Sequence, residues 1–107
     1  MSLTTTTDQT FASEVLASGT PVLVEFTADW CPPCRMIAPV LARIAAEQAG
    51  RMRVVSIDVD ANPETTRAYG VRGMPTLSLF VGGQVVASVT GARPQAQIMR
   101  EFEPHLG

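Results

Sequence analysis

The sequence has few cysteines, little net charge and no long apolar run. Two cysteines among 107 residues are too few for the disulfide framework of a small secreted scaffold. A net charge of −2 offers no polycationic surface for nucleic-acid phosphates. The apolar runs last only a few residues, far less than a membrane span needs. We therefore expect neither nucleic acid nor a membrane as a partner.

The N-terminal stretch MSLTTTTDQT lacks the basic and apolar regions of a signal peptide, which predicts a cytoplasmic protein. In that reducing compartment, a close cysteine pair is more often catalytic or metal-binding than structural. The length and the apolar fraction of 46% predict one compact domain over residues 1–107. We expect it to act as a monomer.

Hydrophobic periodicity predicts that helices and strands alternate along the chain. The runs 21–27 and 53–60 predict strands covered on both faces, and Gly82-Gly83 predicts a hairpin turn between two later strands. Helices are predicted at 7–18, from the cysteines to about 50, from 63 to 70, and at 94–105. The pattern predicts an α/β fold with a central mixed sheet, parallel strands plus a C-terminal antiparallel hairpin, and helices on both faces. An edge strand within the first residues is only weakly indicated, because SLTTTT has almost no apolar alternation.

Both cysteines lie in ADWCPPCRMIAP, where the first predicted strand passes into a helix. Four roles are open to Cys31 and Cys34: a redox dithiol, half of a metal site, a structural disulfide or two buried inert thiols. A zinc site needs about four ligands, and His105 is the one other good candidate. A disulfide between positions three apart closes too small a loop to constrain the unfolded chain much. Redox chemistry is favoured, because the first turn of a helix stabilises a thiolate on Cys31.

These motifs resemble the thioredoxin family along nearly the whole chain. The similar stretches are VLVEFTADWCPPCRMIAPVL, VSIDVDANPETTRAYGVRGMPTLSLF, the Gly82-Gly83 hairpin and VTGA. The resemblance implies a thioredoxin-like fold and a thiol-disulfide oxidoreductase that reduces protein disulfides. It further implies a thioredoxin reductase as electron donor, and no cofactor besides the redox-active Cys31–Cys34 disulfide.

The resemblance also implies roles for individual residues. Cys31 matches the attacking thiol, which forms a mixed disulfide with the substrate, and Cys34 matches the resolving thiol. Pro75 matches the family's cis-proline, which leaves the Met74 backbone free to pair with an incoming peptide. The implied substrate-binding rim consists of Trp30, Met74, Pro75, Gly91 and Ala92.

The chain departs from the family pattern around the implied site. Glu25 stands where the family usually has a buried aspartate that exchanges a proton with the resolving cysteine. Because its neighbours in VLVEF favour burial, we expect desolvation to raise the pKa of Glu25 into a catalytic range. Ser56 replaces a common lysine near this acid, which removes a stabilising cation. Thr27 and Thr90 replace apolar family residues, so we interpret the chain as an atypical member.

Pro32 replaces the family's usual glycine in the WCPPC motif. Neither Pro32 nor Pro33 has an N–H to donate to the sulfur of Cys31, and both stiffen the loop. We interpret the pair as tuning the redox potential, with a shift toward the reducing side favoured. Two alternatives remain: a disulfide oxidase or isomerase, and a thioredoxin-like binding module without turnover.

Overall fold

The computed structural model describes residues 3–107. Within these residues, five strands form one sheet, and three α-helices, a π-helical segment at Ala12–Leu16 and a 3-10 turn at Glu103–His105 accompany it. The strands are β1 (Thr4–Thr5), β2 (Val22–Thr27), β3 (Arg53–Asp58), β4 (Thr76–Val81) and β5 (Gln84–Thr90). The α-helices are α1 (Pro32–Glu47), α2 (Pro63–Ala68) and α3 (Gln95–Phe102).

The sheet has the order β1-β3-β2-β4-β5, with β2 in the centre. Strand β3 pairs in parallel with both β1 and β2, whereas β4 pairs antiparallel with β2 and β5. The predicted mixed sheet with a C-terminal antiparallel hairpin is therefore confirmed. The two-residue β1 confirms the weakly indicated edge strand.

Helices cover both faces of the sheet, as predicted. On one face, alternate β2 residues pack against the N-terminal segment through Phe11 and Val15. On the other face, Leu23 packs with apolar residues of α1 and α3, including Ile37 and Ile98. A central strand buried on both faces follows directly from the apolar run of β2.

The Gly82-Gly83 turn joins β4 and β5 as predicted, with φ values of +59° and +80°. Two positive φ angles in a two-residue hairpin favour glycine, since other side chains are strained there.

The first helical segment is much shorter than the predicted helix at 7–18. Its π-helical part covers Ala12–Leu16, with the Ala17 N–H donating to the Ala12 carbonyl. Before it, the hydroxyls of Thr7 and Thr10 hydrogen-bond to each other and to backbone N–H groups. The Thr10 N–H also donates to the Thr7 carbonyl three residues back, so residues 7–10 form a turn and the regular helical segment begins only after it.

A membrane-spanning helix requires a longer apolar segment than any helix within residues 3–107 provides.

Candidate active site

Cys31 and Cys34 lie at the N-terminus of α1 and are joined by a disulfide, with their Cα atoms 5.3 Å apart. Cys31 is the N-cap residue of α1, and both side chains are almost completely buried, with exposed fractions of 2% and 4%. No group of three His, Cys, Asp or Glu side chains within residues 3–107 could hold a metal ion. The two sulfurs are thus bonded to each other, and among the described residues no third metal-ligating side chain lies with them.

The sulfur of Cys31 accepts a hydrogen bond from the backbone N–H of Cys34, with N and Sγ 3.2 Å apart. Pro32 and Pro33 occupy the first two helical positions and have no N–H to donate. A capping side chain normally accepts from the second or third helical N–H. Pro33 therefore removes one of the two donors that a helix start offers to Cys31, and Cys34 supplies the other.

Glu25 lies in the middle of β2 and is only 5% exposed. It lines a cavity of about 260 Å³ together with Cys34, Arg35 and Ala38 of α1 and the 27–29 segment. Burial raises the pKa of Glu25 to about 7. The carboxyl group can thus gain or lose a proton near neutral pH beside Cys34.

Ser56 of β3 pairs with Glu25 in the parallel β2–β3 register. Directly paired residues of neighbouring strands project to the same side of a sheet. Position 56 therefore lies beside the buried acid and carries a neutral hydroxyl there. Thr27, the last residue of β2, lines the same cavity.

The Met74–Pro75 peptide bond is cis, and Pro75 is buried directly before β4. The N–H of Gly91 donates to the Pro75 carbonyl at 2.8 Å, so the residues after β5 lie against this peptide. Met74 and Gly91 are partly buried, whereas Ala92 is exposed. Four of the predicted rim residues therefore lie close together at one end of the β4–β5 hairpin, namely Met74, Pro75, Gly91 and Ala92.

Trp30 is 61% exposed, and its indole N–H donates to a carboxylate oxygen of Asp60 at 2.7 Å. The guanidinium of Arg35 donates to the Asp29 carbonyl at 2.8 Å. Sequence reasoning missed Asp60. The available signal was its position just after β3, because the carboxyl ends of the parallel strands β2 and β3 meet at one edge of the sheet.

Comparisons with known proteins agree with this arrangement. A model of the family described as Thioredoxin matches residues 2–103. The chain belongs to the thioredoxin family. Thioredoxin 1 of Nostoc sp. is 49% identical over 100 residues, which cover 94% of each chain. The thioredoxin of Mycobacterium tuberculosis is 52% identical over 96 residues, covering 90% of this chain and 83% of that protein.

One further relative is the bifunctional thioredoxin reductase/thioredoxin of Mycobacterium leprae, 48% identical over 96 residues. The match covers 90% of this chain and 21% of that protein. Membership of the family, together with the close cysteine pair, identifies the chain as a thiol-disulfide oxidoreductase.

Proposed function

We propose that this chain reduces protein disulfides through Cys31 and Cys34, with residues 1–107 acting as one thioredoxin domain. The observation that carries the proposal is the Cys31–Cys34 disulfide at a helix N-terminus, with Cys34 and the buried Glu25 lining one cavity. Such a site combines a stabilised thiolate with a proton acceptor for the second thiol.

In the first step, the thiolate of Cys31 attacks one sulfur of a substrate disulfide. A mixed disulfide forms between Cys31 and the substrate, and the other substrate sulfur leaves as a thiolate that takes up a proton. The N-terminus of α1 and the Cys34 N–H stabilise the negative charge on Cys31 before the attack.

In the second step, the thiol of Cys34 gives its proton to the carboxylate of Glu25. The resulting thiolate attacks the sulfur of Cys31, which releases the second substrate thiolate and forms the Cys31–Cys34 disulfide. Two electrons have then passed from the dithiol to the substrate. The pKa of about 7 suits Glu25 to this exchange, because both its forms are populated near neutral pH.

The substrate docks, in this proposal, on the rim formed by Trp30, Met74, Pro75, Gly91 and Ala92. Trp30, the chain neighbour of Cys31, and Ala92 are both exposed and therefore offer contact surface to a substrate. An extended substrate segment pairs with the backbone of Met74 as a short β-strand. Pro32 and Pro33, which have no N–H to donate to the sulfur of Cys31, tune the reduction potential.

A thioredoxin reductase is the proposed electron donor that reduces the Cys31–Cys34 disulfide after each cycle. The fusion of the two activities in the name of the Mycobacterium leprae relative supports such a partner. We further propose that the chain works as a monomer in the cytoplasm, where reduced dithiols are maintained.

The test uses Cys34→Ser, which can form the mixed disulfide but cannot resolve it. Incubated with a disulfide-bonded protein such as insulin, the variant should accumulate a covalent adduct with insulin, detectable by mass spectrometry. Cys31→Ser is the matched control and should form none. Absence of an adduct with Cys34→Ser would leave a binding module without turnover as the function.

A second measurement separates a reductase from an oxidase or isomerase. The reduction potential of Cys31–Cys34 should lie near or below about −270 mV in a defined thiol buffer. A value near about −180 mV would instead indicate an oxidase or isomerase.

A further inference from the structure

A second cavity, of about 350 Å³, opens beside the proposed docking rim. It lies between the segment that follows α2 and one end of the β4–β5 hairpin. It is lined by residues 69–73 and by Thr76, Ser78, Ser88 and Thr90. We call it the arginine pocket, because Arg72 is the one charged residue among these described lining residues.

The arginine pocket is continuous with the rim on which the substrate is proposed to lie. Gly73 directly precedes the Met74–Pro75 peptide and lies against Thr90, because a Cβ added at Gly73 would be 3.4 Å from the Thr90 methyl group. Gly91, which follows Thr90 in the chain, donates its N–H to the Pro75 carbonyl. A substrate segment that pairs with the Met74 backbone therefore runs past the opening of the pocket. One side chain of that segment is long enough to enter it.

Hydroxyl groups line the floor of the pocket. Thr76 pairs with Thr90, and Ser78 pairs with Ser88, in the β4–β5 register. The hydroxyls of Ser78 and Ser88 are 3.0 Å apart, and only one of them can donate to the other. The second O–H of this pair is left to donate to a ligand, whereas the hydroxyl of Thr76 donates to the Gly73 carbonyl.

The charge of the pocket is positive. Arg72 is exposed, and the one ion pair found within residues 3–107 joins Arg51 and Glu103 instead. None of the lining residues that the structure describes carries a carboxylate. A neighbouring cavity of about 180 Å³ differs, because it holds Glu101 together with Arg93.

We propose that the arginine pocket binds the carboxylate of an aspartate or glutamate close to the disulfide of the substrate protein. The guanidinium of Arg72 pairs with the carboxylate, and the Ser78–Ser88 pair donates a hydrogen bond to it. The pocket makes the chain selective for acidic sequences around the target cysteine. This selectivity rests on the proposed reduction of protein disulfides.

The test compares peptides that are joined to a second copy by one disulfide. In separate peptides, glutamate or glutamine is placed at one of four positions, namely the two residues before the cysteine and the two residues after it. Reduced protein is mixed with each peptide at low ionic strength, and peptide thiol is quantified by mass spectrometry after acid quenching. Every rate is divided by the rate of dithiothreitol with the same peptide, which removes the effect of glutamate on the disulfide itself.

The wild-type chain should prefer glutamate over glutamine by about fivefold at one or more of these positions. Arg72→Gln should bring this ratio close to one, and added salt should lower it in the wild type. The matched control is Arg100→Gln, which removes an equal charge on α3 and should keep the wild-type ratio.

The outcomes separate the pocket from the proposed function. The pocket proposal is overturned if the wild-type chain reduces the glutamate and glutamine peptides equally, or if the preference for glutamate survives in Arg72→Gln. In either case the reductase activity stands. A preference lost in Arg93→Gln but kept in Arg72→Gln assigns it to the neighbouring cavity and also overturns the proposal. Failure to reduce any peptide overturns the reductase function, and the pocket with it.

Discussion

The carboxylate of Asp8 accepts a hydrogen bond of 2.9 Å from the backbone N–H of Thr65, which lies 57 residues further along the chain. It also accepts from the Thr65 hydroxyl at 2.6 Å and from the Glu64 N–H at 3.2 Å. In return, the Asp8 N–H donates to the side chain of Asn62 at 2.8 Å. Asp8 therefore caps α2 from the N-terminal segment, while Asn62, the N-cap residue of α2, holds Asp8 in place.

We expect Asp8→Ala to lower the melting temperature by roughly 4 °C at pH 7, because two N–H groups of α2 lose their acceptor. Burial alone would raise the pKa of Asp8, but the hydrogen bonds from Thr65 and Glu64 outweigh it and lower the pKa. A lowered pKa adds stability above about pH 3.8, which is lost as the pH falls through the folded-state pKa. The difference in melting temperature between the wild type and Asp8→Ala should therefore become smaller in acid. Asp8→Asn keeps a hydrogen-bond acceptor, so its melting temperature should fall less than that of Asp8→Ala. An equal fall in both variants would contradict the capping role.

The buried Glu25 should make stability depend on pH. Its pKa is raised from 4.5 to about 7, so it adds stability below pH 4.5 that is lost as the pH rises through 7. From pH 5 to pH 8, the oxidised wild-type chain should lose about 2 kcal/mol of unfolding free energy that Glu25→Gln does not lose. Guanidinium unfolding at both pH values measures this difference. Glu101→Gln, at an exposed carboxyl, should behave as the wild type does.

Glu25→Gln should also slow the second step of disulfide reduction, because the amide cannot accept the proton of Cys34. We expect a slowing of about 100-fold at pH 8. In the wild-type chain, the rate of this step should rise with pH through about 7, and this inflection should be missing in the variant. Acid quenching followed by mass spectrometry gives the decay of the mixed disulfide. Decay at the wild-type rate would remove Glu25 from the proposed mechanism.

A lysine at position 56 should lower the pKa of Glu25, since its ammonium would stand on the strand paired with the acid. The pH at which Ser56→Lys loses stability should therefore lie below that of the wild type. Ser56→Met has a long but uncharged side chain, so it should produce no such lowering. Guanidinium unfolding across pH 4 to 9 follows the transition in all three proteins.

The two prolines between the cysteines should not have equal effects. Pro33→Ala restores the second helical N–H, which can donate to the sulfur of Cys31 and stabilise its thiolate. We expect the reduction potential to become less negative by about 20 mV and alkylation of Cys31 to become faster. Pro32→Ala restores only the first helical N–H, which a cap does not normally use, so its shift should be smaller. The opposite ranking would mean that stiffness, rather than the missing donor, dominates.

Much of the fold could be predicted because its signals are local. The apolar run of β2, the start of α2 at Pro63 and the paired glycines at 82 and 83 each specify structure through near neighbours in sequence. Strand β1 gives almost no such signal, because its two exposed threonines pair with β3 through the backbone alone.

The N-terminal helix was predicted too long for a related reason. Asp8 would suit the start of that helix, but its carboxylate caps α2 instead. Contacts between residues 57 positions apart leave no trace in periodicity. Around the disulfide, the burial of Glu25 follows from its apolar neighbours, whereas the bond between Trp30 and Asp60 depends on how two strand ends meet.

The chain has one tryptophan, and the fold presents it to solvent next to the disulfide. Its intrinsic fluorescence therefore comes from a single indole at the proposed docking rim. A substrate that covers Trp30 would exclude water from the ring and shift its emission to shorter wavelengths. With tryptophan-free peptides, stopped-flow emission could follow docking and release without any label, so the molecule carries its own optical probe at the place where its chemistry occurs.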